Sequence, residues 1–118
     1  MTAIELDPDA AEWSASKLTG SSRAVRGRVE EELPAALPAD LVILNPPRAG
    51  VDARVTETLE AETTRLRGVI YISCNPEALV RDLKTLVGGN YGISLIQPVD
   101  MFPHTPHIES VVVLRKKP

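Results

Sequence analysis

An α/β fold built on a doubly wound, mostly parallel sheet is predicted by two features of the sequence. Unbroken aliphatic and β-branched runs, as in Asp40–Asn45 and Val69–Ser73, are typical of strands that are covered on both faces. Segments with helical caps and helical apolar spacing lie between those runs. Because strands that alternate with helices build parallel sheets, we expect one such domain over residues 1–118.

Six segments have the composition of strands. The third is stopped by two prolines after Asn45, and the fourth follows Gly68 and stops before Pro76. The predicted strands are Thr2–Leu6, Ser22–Val25, Asp40–Asn45, Val69–Ser73, Tyr91–Ile96 and Ser110–Leu114.

Three segments carry helical signals, and a fourth reads as a connection. Asp7 is a capping residue with Pro8 at the first helical position, which predicts a helix to about Leu18. The second helix is expected over Arg54–Leu66. The third begins at Pro76 and ends before Gly88-Gly89, with an apolar stripe of Leu79, Val80, Leu83, Leu86 and Val87. The Pro- and Ala-rich stretch Leu33–Pro38 is expected to be a short connection.

Composition excludes several classes of protein. The chain has 118 residues, a formal net charge of −3 and a single cysteine. Its 43% hydrophobic and 25% charged residues are typical of a globular domain and argue against disorder. No run approaches the roughly 20 apolar residues of a membrane span, and a lone cysteine forms no internal disulfide, so a cytoplasmic location is expected. The negative balance provides no overall basic field for nucleic acid.

Cys74 is a candidate nucleophile. It follows a predicted strand and comes directly before a predicted helix, where unpaired amide donors and the helix dipole favour an anion. A thiolate is the nucleophilic form of cysteine. The competing interpretation is a small buried apolar residue, which is the usual fate of a lone cysteine.

Asn45 and Arg48 are candidate binding residues, because ligands of open α/β sheets sit at the carboxyl ends of the strands. Pro46 and Pro47 make the backbone after Asn45 rigid, so that its amide could read a flat heterocycle or an amino group. Arg48 could hold a phosphate. The competing interpretation is a simple turn with an exposed arginine.

The segment Asp100–Glu109 holds both histidines and the only phenylalanine, Phe102, of a protein with 3% aromatic residues. His104 and His107 have a spacing that metal sites use, but no third ligand accompanies them, so we expect no metal. Glu109 begins an apolar strand, where it is either an exposed end residue or a partly desolvated general base.

Three motifs together resemble one family, the S-adenosylmethionine-dependent RNA uracil-5-methyltransferases, which make 5-methyluridine in tRNA and ribosomal RNA. The resemblance covers most of the chain and implies a methyltransferase-type, Rossmann-like sheet. The motifs stand in the family's order and spacing: Asn45-Pro46-Pro47-Arg48-x-Gly50, Ser73-Cys74-Asn75-Pro76 and Asp100-Met101-Phe102-Pro103-His104-Thr105-x-His107-x-Glu109.

The resemblance also implies roles for single residues. Cys74 matches the nucleophile that adds to C6 of uracil, and Glu109 matches the base that removes the C5 proton. Glu5 matches the residue that accepts hydrogen bonds from the ribose of S-adenosylmethionine. Asn45 stands where many members carry Asp, near the methionine end of the cofactor. The substrate-binding candidates for the RNA are Arg48 and Phe102.

Two departures from the family pattern bear on activity. Arg28 takes the position of an acidic residue at the adenine edge, and no G-x-G-x-x-G motif occurs. We therefore expect the sheet to lack its first strand, and the chain to be a carboxyl-terminal part of a catalytic domain with little or no activity alone. The strand at Leu41–Leu44 would then pair directly with Thr2–Leu6, pair with a second chain in a homodimer, or leave the N-terminal region loosely held.

Three other functions compete with this one. The chain could be a non-catalytic remnant or interaction module of the same fold. It could also be an amino-group base methyltransferase of the Asn-Pro-Pro type, although Arg48 replaces the aromatic residue of that motif. A cysteine hydrolase using Cys74 with His104 or His107 lacks a recognisable orienting partner.

Overall fold

The computed structural model describes residues 1–118 and contains six strands and four helices. All six predicted strands and all three predicted helices are present. The elements are β1 (Thr2–Glu5), α1 (Pro8–Lys17), β2 (Arg23–Arg26), α2 (Val29–Ala36), β3 (Leu41–Leu44), α3 (Ala53–Ala61), β4 (Gly68–Ser73), α4 (Pro76–Gly88), β5 (Tyr91–Val99) and β6 (Glu109–Lys116). No helix has the length and apolar character needed to cross a membrane.

The chain divides into two compact units, and Met1–Leu37 forms the first. Strands β1 and β2 pair in parallel, and α1 connects them. Helix α1 begins as the sequence predicts, because the Asp7 carboxylate accepts a hydrogen bond from the Ala10 amide at 2.8 Å and Pro8 occupies the first turn. The first unit is thus a small strand–helix–strand motif followed by α2.

Helix α2 contradicts the expectation of a short connection over Leu33–Pro38. It spans Val29–Ala36 and contains Pro34. Three glutamates in its first turn complement the positive end of the helix dipole, and Leu33 is buried. These gains outweigh the hydrogen bond that Pro34 removes.

The second unit, Pro38–Pro118, is built on a four-stranded sheet in the order β3-β4-β6-β5. Strands β3 and β4 are parallel, whereas β6 is antiparallel to both β4 and β5. No helix separates β5 from β6, and strands joined by a loop alone pair in the antiparallel sense. The parallel arrangement therefore holds for β1–β2 and for β3–β4 and does not extend to the last strand.

Strand β3 is an edge of that sheet. The expected direct pairing of Thr2–Leu6 with Leu41–Leu44 is wrong, because β1 pairs with β2 and β3 pairs with β4 alone. The expectation that this strand is covered on both faces is also wrong, since Leu41 is 51% exposed and Ile43 is 62% exposed.

The core of the second unit lies on the other face of the sheet, under α3 and α4. Two details of these helices differ from the prediction. Val80 is 54% exposed and so does not belong to the apolar stripe of α4. Helix α3 ends at Ala61, earlier than expected, although Leu66 beyond it is buried. The fully buried core includes Val55, Leu59, Val69, Tyr71, Leu86, Tyr91, Val112 and Leu114.

Candidate functional site

Cys74 lies in the turn between β4 and α4, as the sequence predicts. It is half-buried and is a free thiol. The turn is fixed on its downstream side, because the Asn75 amide donates to Ser73 Oγ at 3.0 Å and Ser73 Oγ donates to the Asn75 carbonyl at 2.9 Å. Asn75 also caps α4 by accepting a hydrogen bond from the Glu77 amide.

The segment after β3 lies against this turn. Asn75 Nδ2 donates a hydrogen bond to the Arg48 carbonyl at 2.8 Å, and the Gly50 amide donates to the Pro47 carbonyl at 2.9 Å. The side chains of Asn45 and Arg48 are exposed. The residue that follows the thiol therefore holds the loop that carries both binding candidates.

Glu109 reaches the same end of the sheet through strand pairing. Ser73 at the end of β4 lies opposite Ser110 in antiparallel β6. One step further along that register, Cys74 follows Ser73 and Glu109 precedes Ser110. Glu109 is half-buried and is paired on its other side with Val99 of β5. The thiol and the carboxylate thus belong to neighbouring strands at one sheet end.

The loop between β5 and β6 carries the remaining candidate, Phe102, whose ring is exposed. A turn begins there, since the Thr105 amide and hydroxyl both donate to the Phe102 carbonyl. His104 has a positive φ of 65°, which is uncommon for a residue with a side chain. His107 Nδ1 lies 3.4 Å from Arg48 Nη1, so the two loops touch.

Glu5 ends β1 in the first unit. Its Oε1 accepts a hydrogen bond from the Asp7 amide at 3.2 Å, which leaves its second oxygen without a partner. Arg28, which stands in the position of an acidic residue, precedes α2 and forms an ion pair with Glu30 at 3.7 Å. The carboxylate predicted to bind ribose is thus at the carboxyl end of a parallel strand.

Sequence reasoning missed a buried acidic residue on α4. Asp82 is 5% exposed and accepts hydrogen bonds from Tyr71 Oη, from the Val51 amide at 3.0 Å and from Arg81. Burial, together with the neighbouring carboxylate, raises the pKa of Tyr71. The sequence does contain a signal for it, because Asp82 falls on the same helical face as Leu79 and Leu86. A carboxylate on such an apolar face requires hydrogen-bond partners.

The end of the four-stranded sheet therefore gathers four kinds of reactive or binding group. Cys74 offers a nucleophile, Glu109 offers a proton acceptor, and the loop from Asn45 to Arg48 offers an amide and a cation. A nucleophile and a base on adjacent strands suit a reaction that forms and then breaks a covalent bond to the enzyme.

Known sequences match most of the chain. A sequence model of the tRNA (uracil-5-)-methyltransferase family matches residues 13–117. An uncharacterized RNA methyltransferase of Listeria monocytogenes is 46% identical over 92 residues, which are 75% of this chain and 20% of that protein. One from Gloeobacter violaceus is 47% identical over 95 residues, with 80% and 20% covered. The chain thus spans about a fifth of the length of these curated relatives.

Solved structures match its backbone. The tRNA (uracil-54, C5)-methyltransferase of Pyrococcus abyssi, in complex with S-adenosyl-L-homocysteine, superposes with a TM-score of 0.78 at 31% identity, over 96% of this chain and 28% of that one. TrmK of M. capricolum, in complex with S-adenosyl-homocysteine, gives 0.65 at 15% identity, over 98% and 51% of the two chains, and shows a common fold alone. The predicted methyltransferase-type α/β fold is confirmed.

Proposed function

Because this chain belongs to the tRNA (uracil-5-)-methyltransferase family, we propose that it forms part of an enzyme that methylates C5 of a uridine in tRNA or ribosomal RNA. The product is 5-methyluridine, and the enzyme works in the cytoplasm. The observation that carries the proposal is the strand register that brings Cys74 and Glu109 to one sheet end. Residues 1–118 are part of one catalytic domain, which has little or no turnover alone.

The methyl donor is S-adenosylmethionine, and the chain's own groups suit it. Glu5 has a carboxylate oxygen without a partner, which matches the hydroxyl donors of a ribose. Asn45 presents an exposed amide that both donates and accepts, as an amino acid moiety requires. Glu5 is the last residue of β1 in the first unit, and Asn45 follows β3 in the second; cofactors of parallel sheets bind at such strand ends.

The chemistry begins with Cys74. Its thiolate adds to C6 of uracil, and the electron pair of the C5=C6 double bond makes C5 nucleophilic. The C5 electron pair then forms a bond to the electrophilic methyl group that bound S-adenosylmethionine would supply, while the electron pair of the broken sulfur–carbon bond would stay with sulfur. Glu109 then takes the proton from C5, the C–H electron pair restores the double bond, and the Cys74 thiolate is expelled from C6.

Two side chains are proposed to hold the RNA. Arg48 is exposed beside the Cys74 turn and carries a charge that suits a phosphate. Phe102 exposes its ring on the loop that leads into Glu109, where it can stack on an unpaired base. Both lie on loops that contact each other through His107.

The proposal is tested by covalent trapping, which requires one cysteine addition and one methyl transfer but no repeated turnover. RNA containing 5-fluorouridine is mixed with the full-length enzyme that contains this chain and with excess S-adenosylmethionine, and the adduct is detected by denaturing gel and peptide mass spectrometry. Fluorine cannot leave C5 as a proton, so the Cys74–C6 bond should persist. An adduct that maps to Cys74 is the expected result.

Two variants give this test its controls. Cys74→Ala should form no adduct, whereas Glu109→Gln should form it with 5-fluorouridine and also accumulate it with ordinary uridine, because proton removal is blocked. Failure of the full-length enzyme that contains this chain to form an adduct, or an adduct that persists in its Cys74→Ala variant, would overturn the proposal. The first outcome would favour a non-catalytic module, and methylation of an amino group without an adduct would favour the Asn-Pro-Pro type.

The bare edge of β3 supports a homodimer as a further proposal. Its backbone donors and acceptors on one side lack a strand partner, and Leu41 and Ile43 are exposed beside them. Such edges pair readily with a second chain. Sedimentation equilibrium should show a concentration-dependent dimer that Ile43→Lys weakens, and a monomer at every concentration would refute it.

A further inference from the structure

Asp82 is an acidic residue at a buried position, where a hydrophobic residue would cost less free energy to bury. It lies in the core-facing side of α4 and is 5% exposed. Burying a carboxylate costs free energy unless its oxygens are fully hydrogen-bonded, and replacing such groups by apolar residues is often neutral or stabilising. We therefore infer the role of the Asp82 carboxylate from its hydrogen-bond partners.

Two of those contacts lead to the loop after β3. Asp82 Oδ2 accepts a hydrogen bond from the Val51 amide at 3.0 Å. Asp82 Oδ1 accepts from Arg81 Nε at 2.9 Å and from Arg81 Nη2 at 2.8 Å, and that Nη2 also donates to the Ala49 carbonyl at 2.7 Å. The carboxylate thus holds one loop residue directly and a second through the guanidinium that it orients.

Gly50 lies between those two anchored residues and fits closely against them. Its φ is +79°, and a Cβ built there would lie 2.5 Å from both Arg81 Nη2 and Asp82 Oδ2. Only a residue without a side chain permits this approach. The loop backbone at Gly50 therefore packs directly against the Arg81 and Asp82 side chains.

The third contact ties the same carboxylate to the sheet. Tyr71 of β4 is fully buried and donates its hydroxyl hydrogen to Asp82 Oδ2. Further along the loop, Asn75 holds the Arg48 carbonyl. The loop that carries Asn45 and Arg48 is thus hydrogen-bonded both to α4 and to the Cys74 turn. These contacts fix the position of the loop relative to the turn.

We propose that Asp82 is a positioning residue, which fixes the loop of residues 45–51 so that Asn45 and Arg48 meet cofactor and RNA beside Cys74. This inference rests on the proposed function for its catalytic consequence. Its structural half, that the loop depends on Asp82, stands separately and is measurable without substrate.

The first experiment measures hydrogen exchange by NMR. In Asp82→Asn and Asp82→Ala the exchange of the Val51 amide should speed up by about tenfold or more beyond any change in β4 amides, since one charge-assisted hydrogen bond is lost. Tyr71→Phe keeps the carboxylate and should leave Val51 close to wild type relative to β4. Tyr91→Phe, a buried hydroxyl deletion away from the loop, is the matched control for general destabilisation.

Gly50→Ala tests the same idea from the loop side, in case the Asp82 variants fold poorly. The added methyl group would lie 2.5 Å from Arg81 Nη2 and Asp82 Oδ2, so the contact must shift although both residues are retained in the sequence. It should free the Val51 amide as Asp82→Asn does. Exchange of Val51 that only follows the β4 amides, in Gly50→Ala and in every Asp82 variant that folds, would overturn the structural half.

The second experiment measures 5-fluorouridine trapping against S-adenosylmethionine concentration. Asp82→Asn and Gly50→Ala should raise the half-saturating concentration by about tenfold, with a smaller change in the limiting rate, because a displaced loop weakens binding. Tyr91→Phe should leave that concentration unchanged. Faster Val51 exchange with unchanged saturation would refute the positioning role. A wild-type full-length enzyme without an adduct would refute the proposed function, and the exchange result alone would then decide whether the loop depends on Asp82.

Discussion

Tyr91→Phe removes one oxygen atom from the middle of the second unit, and its cost follows from a single contact. Tyr91 is fully buried, and its hydroxyl donates to the Leu59 carbonyl at 3.0 Å. That carbonyl is one of the last four of α3, which have no amide partner within the helix. The substitution keeps the ring and removes the only donor that the carbonyl has.

The expected loss of stability is about 1–3 kcal/mol, the cost of leaving a buried acceptor without a partner. Ring burial does not change, so the larger penalty of a Tyr→Ala cavity, about 3–5 kcal/mol, does not arise. For a domain of this size, each kcal/mol lowers the melting temperature by about 4–8 °C. Urea unfolding followed by circular dichroism should therefore show a lower midpoint with an unchanged slope.

An alkaline titration gives an independent signature. Burial raises the pKa of Tyr91 to about 12, and the Glu60 and Glu62 carboxylates add to the shift. The unfolded chain releases this proton near its ordinary value of 10.0, whereas the folded protein retains it. The corresponding stability is complete below about pH 10 and is lost as the pH rises toward about 12. Tyr91→Phe should lack this component and retain the part due to Tyr71.

Ser94→Ala is the matched control, because it also deletes a hydroxyl that donates to a carbonyl, at 3.2 Å, but at an exposed site. Its stability should change by less than about 0.5 kcal/mol. If Tyr91→Phe were no more destabilising than Ser94→Ala, or kept the full alkaline decline, the role assigned to this hydrogen bond would be wrong.

Three further substitutions test the packing and the surface of the second unit. Gly68→Ala places a Cβ 2.6 Å from the Leu114 carbonyl oxygen of the neighbouring strand, so it should destabilise by about 1–3 kcal/mol in urea unfolding. Leu59→Ala opens a cavity at a fully buried site and should cost about 2–5 kcal/mol, with a smaller value indicating that the core collapses around it. Arg65→Ala breaks an exposed ion pair with Asp40 and should leave the melting temperature unchanged. Because the Arg65 hydrogen bonds hold the pKa of Asp40 below its usual range, an NMR titration should show that pKa rising in the variant, and a static value would refute the contact.

Much of the fold follows from local pattern, and the exceptions have physical causes. The runs at Val69–Ser73 and the Pro76 cap predict β4 and α4 directly, and with them the place of Cys74. The direction of β6 was not predictable from its own residues, because a buried β-branched run suits parallel and antiparallel strands equally. The direction of β6 follows from its connection, because β5 and β6 are joined by a loop without a helix.

The candidate site divides in the same way. Cys74 and Asn45 are predictable because they follow strands, and the carboxyl ends of parallel strands meet at one edge of a sheet. Glu109 begins its strand and reaches that edge only because β6 is antiparallel, so its role was predicted from the family resemblance and not from strand order. The hold of Asp82 on Val51 links residues that are 31 positions apart, and Asn75 reaches the Arg48 carbonyl across 27. A single sequence does not show which distant residues are in contact. The only indication of these contacts was an acidic residue on the apolar face of α4.

The place of β6 between β4 and β5 has a consequence for how the protein is made. It is the last of the four strands of this sheet to be synthesised, yet it is a central member of the sheet. Until residues 109–116 emerge, β5 has no strand to pair with, and β4 has only β3. The second unit therefore completes its sheet only after β6 has been synthesised, and the β5 segment remains without a strand partner until then.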